Sequence, residues 1–452
     1  MSKNQNNEKY PGYSKDAIDI LEKFGAKIWS IIEIKTETTR YKGILLPRSK
    51  YSEPGLIEIK LENGYNIGVK ISKDIEIKIL GNREGKYKIP EKTFPINKKL
   101  PNIKLFGTGG TVAARLDYTT GAVIPAFTPG ELFSAVPELA DICNLDTEIV
   151  FEILSEDMKP SYWQMLAEKV KKEANAGIDG IIIGHGTDTM SFTSAALSFM
   201  LKDLSIPVVL VGSQRSSDRP SSDSALNLIN AATVAAKSDL AEVVVCMLGS
   251  SSHKYGLIHR GTRVRKMHTS YRHTFRTIGN IPLGKVENGK ITMFQTDYQK
   301  RTKSETKTIS KFEEKIGLIY SYPGMTNDII NFYIDKKYRG IVLAGTGLGH
   351  TSTYIFDSIK RAIEEGIIIL MVSQCLNGFV GMDVYSTGRN LTQLGVIPGK
   401  NLLPEVAYVK LGWVLGQTQN PDEIKNLLLK NIAGEFLERE IPIAFNYNAD
   451  EL

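Results

Sequence analysis

From Asn102 onward the chain repeats one pattern: short apolar runs rich in Ile and Val, interrupted only by Lys104 in the first, separated by longer amphipathic stretches. The runs fall at residues 103–106, 181–183, 208–211, 243–248, 341–343 and 367–372. A strand covered on both faces has no solvated side to mark with polar residues, so it reads as an unbroken apolar run. Between the runs, Trp163, Leu166, Val170 and Ala174 recur at helical spacing and stop at Gly177, and a second such stretch covers residues 221–237. Strands and helices in alternation predict a largely parallel sheet with helices on both faces. The theme restarts near Lys315 and ends in helices near residues 405–415 and 422–432, which predicts a smaller second α/β lobe.

The first hundred residues have a different texture. Residues 26–80 alternate apolar and charged side chains in IEIK-like stretches, with Glu62-Asn63-Gly64 placed as a hairpin turn. That period of two predicts a small, partly solvated β-barrel-like module. Residues 86–101 lack periodicity, carry Pro90, Pro95 and Pro101, and read as a basic linker. The expected organisation is a module at 1–85, the linker at 86–101, a large α/β domain at 102–300 and a smaller one at 301–452. Charge follows the same division. Of the 56 Lys and Arg and 50 Asp and Glu, the first hundred residues hold 20 and 13, so the basic excess of +6 sits wholly at the front.

Several function classes are excluded or disfavoured. No apolar run approaches the roughly 18 residues that span a bilayer, and the polar N-terminus MSKNQNNEKY lacks the apolar core of a secretory signal, so the cytoplasm is the expected compartment. Cys143, Cys246 and Cys375 match no metal or redox spacing and are read as buried small hydrophobes. The six histidines show no metal-ligand spacing, so no metal is expected.

In open α/β sheets ligands bind beyond the carboxyl ends of the strands. Three segments there carry chemistry. FGTGGTVAA at 106–114 packs three glycines into four positions and delivers the Thr111 hydroxyl at its tip; a structural strand-to-helix turn is the alternative. GHGTDT at 184–189 presents Thr187 and Asp188 after a buried strand, with helix capping as the alternative. Residues 252–276 hold seven Lys or Arg and no acidic residue. A lysine among like charges is more readily a proton acceptor, and Lys266 is the candidate; a solvated basic loop is the alternative. The GTGLGH turn at 345–350 departs from the dinucleotide-binding spacing, so no nicotinamide cofactor is expected.

Taken together, GTGGTVAAR, the downstream Asp117-Tyr118-Thr119, Ser155-Glu156-Asp157-Met158, HGTDTM and RVRKMHTS resemble the bacterial-type L-asparaginase family, in one order from Ile103 to beyond Gln417. That resemblance implies a two-lobed α/β amidohydrolase without metal or cofactor. It places the nucleophile on Thr111, an assisting tyrosine on Tyr118, a second triad on Thr187, Asp188 and Lys266, and the serine for the substrate's α-carboxylate on Ser155. Asp188 would also hold the α-ammonium, and backbone N–H groups at Gly110 and Gly186 would serve an oxyanion. Glu156 stands where many members have glutamine, and His350 where the tetrameric members have asparagine.

A front module of this kind before an asparaginase-like body resembles the GatD family, the glutaminase components of archaeal-type glutamyl-tRNA(Gln) amidotransferases. The resemblance implies a glutaminase whose ammonia a partner protein, GatE, uses with ATP and Mg²⁺ to convert Glu-tRNA(Gln) to Gln-tRNA(Gln). It also implies a homodimer of the amidase body within a heterotetramer. A free-standing L-asparaginase and an RNA-binding scaffold with a vestigial amidase domain are the competing readings.

Overall fold

The computed structural model describes residues 9–48, 53–61, 66–72, 74–82, 96–109, 114–116, 123–125, 132, 136–215, 222–252 and 254–446. Thr111, Tyr118 and Gly110, the Glu62-Asn63-Gly64 turn and most of the expected linker lie outside them. The chain divides into two compact units: one holds the N-terminal sheet and a short two-stranded pair, the other both α/β lobes.

The N-terminal sheet begins after a helix that the alternating pattern does not announce, α1 (Lys15–Lys23), whose buried face is Ala17, Ile18 and Leu21. The strands are β1 (Ser30–Lys35), β2 (Arg40–Leu45), β3 (Leu56–Leu61), β4 (Asn66–Lys70) and β5 (Glu76–Asn82). They pair antiparallel in the order β4-β3-β2-β1-β5. Period-two alternation sends Ile32, Ile34, Ile57 and Ile59 inward, where they pack with Ala17, Leu21, Tyr10 and Tyr13. The Tyr13 hydroxyl donates to the Leu46 carbonyl at 2.8 Å and accepts from the Glu58 amide at 3.1 Å, tying the segment before α1 to the sheet.

The chain continues through β6 (Asn102–Gly107), the antiparallel pair β7 (Ala114–Leu116) and β8 (Val123–Pro125), β9 (Asn144–Ile149), α2 (Pro160–Asn175), β10 (Gly180–Gly184), α3 (Met190–Met200), β11 (Leu201–Lys202), β12 (Val208–Val211), α4 (Ser224–Lys237), β13 (Val243–Leu248) and β14 (Tyr255–Arg260). Then come the ribbon β15 (Val264–Lys266) and β16 (Phe275–Thr277), β17 (Gly284–Glu287), β18 (Lys290–Met293) and β19 (Lys307–Thr308), which pairs with β11. The large sheet runs β18-β17-β14-β13-β12-β10-β6-β9. Its β9, β6, β10, β12 and β13 are mutually parallel, and β14, β17 and β18 join antiparallel. Every residue of β10, β12 and β13 is buried, which is why their sequences carry no polar face. The predicted α2 periodicity is realised: Trp163, Leu166, Val170 and Ala174 are buried.

The C-terminal lobe contains β20 (Ile316–Tyr320), α5 (Asn327–Asp335), β21 (Gly340–Gly345), α6 (Phe356–Glu364), β22 (Ile368–Ser373), α7 (Ser386–Leu394), β23 (Ile397–Pro398), α8 (Pro404–Gln417) and α9 (Pro421–Leu429). Its four strands are all parallel in the order β20-β21-β22-β23. Helix α8 is buried along nearly its whole length. It lies against the large lobe through Phe192–Tyr408 and Phe199–Trp413 ring contacts, at 6.1 and 5.8 Å between centroids.

One cysteine differs from expectation. Cys143 and Cys246 are buried, but Cys375 is exposed, because it lies past the end of β22 on a surface turn. Among the described residues no helix is long and apolar enough to cross a membrane, and no group of three or more His, Cys, Asp or Glu side chains could hold a metal ion.

Candidate active site

Three chain segments meet at the carboxyl ends of β6 and β10. After β6, Thr108 donates through both its amide and its hydroxyl to the Gly184 carbonyl, at 3.1 and 2.9 Å, which locks the two strand ends together. Gly109 has φ +100°, and a Cβ there would stand 2.1 Å from the Ile153 carbonyl oxygen, so only glycine allows the two backbones to approach. The segment carrying Ser155 thus packs directly beside the turn that leads to Thr111. Ser155 is itself buried, and a Cβ on Gly186 would fall 2.7 Å from the Ser155 Cβ. Glu156, next in the chain, is exposed.

After β10, Thr187 is buried while the Asp188 side chain is 67% exposed. Neither does what a helix cap does. α3 begins at Met190, its N-cap Thr189 makes no side-chain capping bond, and the Thr189 hydroxyl donates instead to the Ser155 carbonyl at 2.6 Å. Lys266 reaches both predicted partners. Its Nζ lies 2.9 Å from Thr187 Oγ1 and 2.7 Å from Asp188 Oδ1. The structure therefore joins Thr187, Asp188 and Lys266, which are far apart in sequence, into one hydrogen-bonded triad, with Ser155 and Gly186 in mutual contact beside it. A small cavity of about 120 Å³ opens at the triad, lined by Asp188, Lys266, Ser191, Phe192, Tyr320 and Glu405 among others.

The surroundings of Lys266 differ from the sequence expectation. Residues 254–276 are not one solvated basic loop; they supply β14, β15 and the start of β16, with an exposed turn at 267–271 between the last two. Lys266 sits on the ribbon opposite Phe275, with a carboxylate rather than bare cations at its ammonium. Arg263 and Arg265 are engaged elsewhere, by main-chain carbonyls and by Glu405.

Sequence reasoning missed a buried hydrogen-bond chain behind the triad. The Gly186 carbonyl only accepts, so the His185 Nδ1 that lies 2.6 Å from it carries the proton. His185 Nε2 then accepts from the Thr193 hydroxyl at 2.8 Å, and Thr193 Oγ1 accepts from Trp163 Nε1 at 3.0 Å. The imidazole is neutral, because burial pushes it down to about 4. Every donor in this chain has one direction, so helices α2 and α3 fix the peptide that joins Gly186 to Thr187. No spacing links residues 163, 185 and 193, and a Thr inside an apolar helix gives no signal.

A stability consequence follows. Burial also lowers His259, to about 3. An unfolded histidine protonates near pH 6.5, so below that pH the unfolded chain binds protons that the folded chain refuses. The stabilisation is complete above pH 6.5 and is lost as the pH falls toward 4. Thermal melts across that window should show a falling Tm, with a shallower fall in His185→Gln; equal slopes would contradict this origin.

Three family models match stretches of the chain. Residues 102–299 match the family described as "Asparaginase, N-terminal", residues 315–428 the "Glutaminase/Asparaginase C-terminal domain" and residues 26–80 the "GatD N-terminal domain". The chain is 51% identical over 411 residues to the GatD component of the glutamyl-tRNA(Gln) amidotransferase of Pyrococcus furiosus, covering 90% of this chain and 94% of that protein. It is 49% identical over 423 residues to the corresponding protein of Thermococcus kodakarensis, covering 92% and 96%. Among solved structures, the thermostable L-asparaginase of Thermococcus kodakarensis superposes with a TM-score of 0.67 at 28% identity, covering 74% of this chain and 99% of that one. A probable cytoplasmic L-asparaginase of Campylobacter jejuni gives 0.62 at 29%, covering 73% and 100%.

Proposed function

The chain belongs to the GatD family of glutamyl-tRNA(Gln) amidotransferase components, and on that premise we propose that its amidohydrolase body cleaves the side-chain amide of glutamine to supply ammonia for tRNA-dependent amidation. The observation that carries the chemistry is the bond pair from Lys266 to Thr187 and Asp188. A hydroxyl is a weak nucleophile until a base takes its proton, and such assistance is worth roughly 10²- to 10⁴-fold in rate.

In the proposed reaction a threonine Oγ attacks the amide carbon and its proton passes to the base. The C–N bond then breaks, and the nitrogen leaves as ammonia after taking up a proton. Water next adds to the resulting ester, releasing glutamate and restoring the hydroxyl. The resemblance assigns the nucleophile to Thr111 and the assisting hydroxyl to Tyr118. Thr187, Asp188 and Lys266 then serve as the proton-accepting group, Ser155 holds the α-carboxylate and Asp188 the α-ammonium. The resemblance also assigns the amides at Gly110 and Gly186 to the developing oxyanion, where one such donor contributes about 3–4 kcal/mol. The chain itself needs no metal or cofactor in this scheme. ATP and Mg²⁺ act in the partner protein, GatE, which amidates Glu-tRNA(Gln).

What favours the amidotransferase over a free-standing asparaginase is the front module. The two asparaginases compared above are covered at 99–100% of their length by about three quarters of this chain, and residues 26–80 match the GatD N-terminal domain. We place the complex in the cytoplasm, as a homodimer of the amidase body within a heterotetramer. Mixing the chain with GatE, ATP, Mg²⁺ and Glu-tRNA(Gln), and omitting each in turn, tests the reading. Glutamine hydrolysis should be greatest with all components present. Vigorous amidase turnover by the isolated chain, unchanged by any of them, would instead support the free-standing enzyme.

A further inference from the structure

The RVRK segment holds one residue of the triad and two arginines that the reaction leaves unused. Arg263 is 1% exposed, yet none of its hydrogen bonds goes to a carboxylate. Its Nε and Nη2 donate to the Ile278 carbonyl at 3.0 and 2.6 Å, and its Nη1 donates to the carbonyls of Asn401 and Glu435 at 2.7 and 3.2 Å. Room for the guanidinium is made by Gly279, where a Cβ would stand 2.7 Å from Nη2. Thr262 donates to the Ala433 carbonyl at 2.8 Å. Arg265, beside Lys266 on the ribbon, lines the same small cavity, and its Nη1 meets Glu405 Oε2 at 2.6 Å.

All of these partners except Ile278 belong to the C-terminal lobe, and they are tied to one helix. Glu405 stands in the first turn of α8, and Lys410 of the same helix bonds the Glu435 carboxylate. Glu405 is 3% exposed and its Oε1 has no hydrogen-bond partner. Burying a carboxylate that is only half satisfied is costly, and the Arg265 guanidinium is the partner that the Glu405 carboxylate does meet. Its one directed bond is the one that holds the ribbon.

We propose that Arg263, Arg265 and Glu405 are positioning residues for Lys266, through which α8 and the segment around Glu435 set where the lysine ammonium stands relative to Thr187 and Asp188. The inference rests on the catalytic reading of Lys266. Two short strands alone would leave the lysine on a ribbon outside the main sheet, free to shift, and displacement of a reacting group by about 1 Å can cost roughly 10²-fold in rate.

The test uses the full chain with GatE and Glu-tRNA(Gln), comparing Arg265→Met, Arg265→Lys, the double variant Arg265→Met with Glu405→Leu, and Lys266→Met. The double variant removes the buried acid with its partner and keeps the fold, as near-ultraviolet circular dichroism will show. The expected result is a kcat for glutamine lowered about 10- to 100-fold in Arg265→Met and in the double variant, with KM within a factor of about three. Arg265→Lys, still able to reach Glu405, should recover part of the loss. A folded double variant with the wild-type kcat beside an inactive Lys266→Met overturns the positioning role alone. Full activity in Lys266→Met overturns the catalytic reading and the positioning role with it.

Discussion

Replacing Lys266 by methionine should lower kcat for glutamine hydrolysis by about 10²- to 10⁴-fold while the protein stays folded, the span associated with loss of a positioned proton acceptor. The side chain is partly exposed and makes its bonds at its tip, to Thr187 and Asp188, so methionine keeps the packing of the stem and deletes only the amine. Thr187→Val should lose activity to a similar degree, because it removes the hydroxyl to which the Lys266 Nζ is bonded. The two losses should not multiply. Residues that act as one unit are strongly non-additive, so the double variant should be about as slow as either single one. Multiplying losses would mean that Lys266 and Thr187 act in separate steps.

The largest expected stability effect lies away from the triad. Lys410 and Glu435 form an ion pair at 2.6 Å in which neither side chain has any exposure. Burial pushes the Lys410 ammonium down from its usual range, and the Glu435 carboxylate opposes that shift. Glu435 also accepts from the amides of Ile432 and Ala433, and Lys410 caps the Lys430 carbonyl and lies over the Phe436 ring at 4.4 Å. The pair thus pins the segment after α9 onto α8. Lys410→Met leaves the carboxylate buried and unpaired, at a cost of about 3–5 kcal/mol. Equilibrium denaturation should show that loss, and Lys410→Met with Glu435→Gln should recover much of it. An unchanged unfolding midpoint in Lys410→Met would show that the site admits water and that the pair contributes little.

Much of the architecture could be read from the sequence because its physics is local. β10, β12 and β13 are buried on both faces, and a strand with no solvated side cannot carry a polar residue, so Ile181, Val209 and Val245 announce themselves. Thr187 and Asp188 were legible for a related reason: they follow a buried strand in a sheet whose ligands gather at that end. Helix α1 was not legible, since nine residues with three buried apolar side chains give too short a pattern to stand out from polar flanks. Lys266 was found, but for a reason that the structure replaces. The surrounding arginines do not crowd it with charge; they are bonded away into the C-terminal lobe. That pairing spans about 140 residues, as do Thr262 with Ala433 and Arg263 with Asn401 to within a few dozen. A chain shows no sign of such partners until it is folded. The same holds for Lys410, a charge in the middle of a largely apolar helix whose partner lies beyond the next helix.

The central claim is that this body makes ammonia for a tRNA-bound product, and the fate of the nitrogen tests it most directly. Glutamine labelled with ¹⁵N in its side-chain amide would be given to the chain with GatE, ATP, Mg²⁺ and Glu-tRNA(Gln), and the aminoacyl group then recovered from the tRNA. The label should appear in the glutamine carried by the tRNA and be absent with Lys266→Met, where added unlabelled ammonium should restore amidation without the label. Unlabelled tRNA-bound glutamine from the wild-type complex, or full labelling with Lys266→Met, would contradict the account.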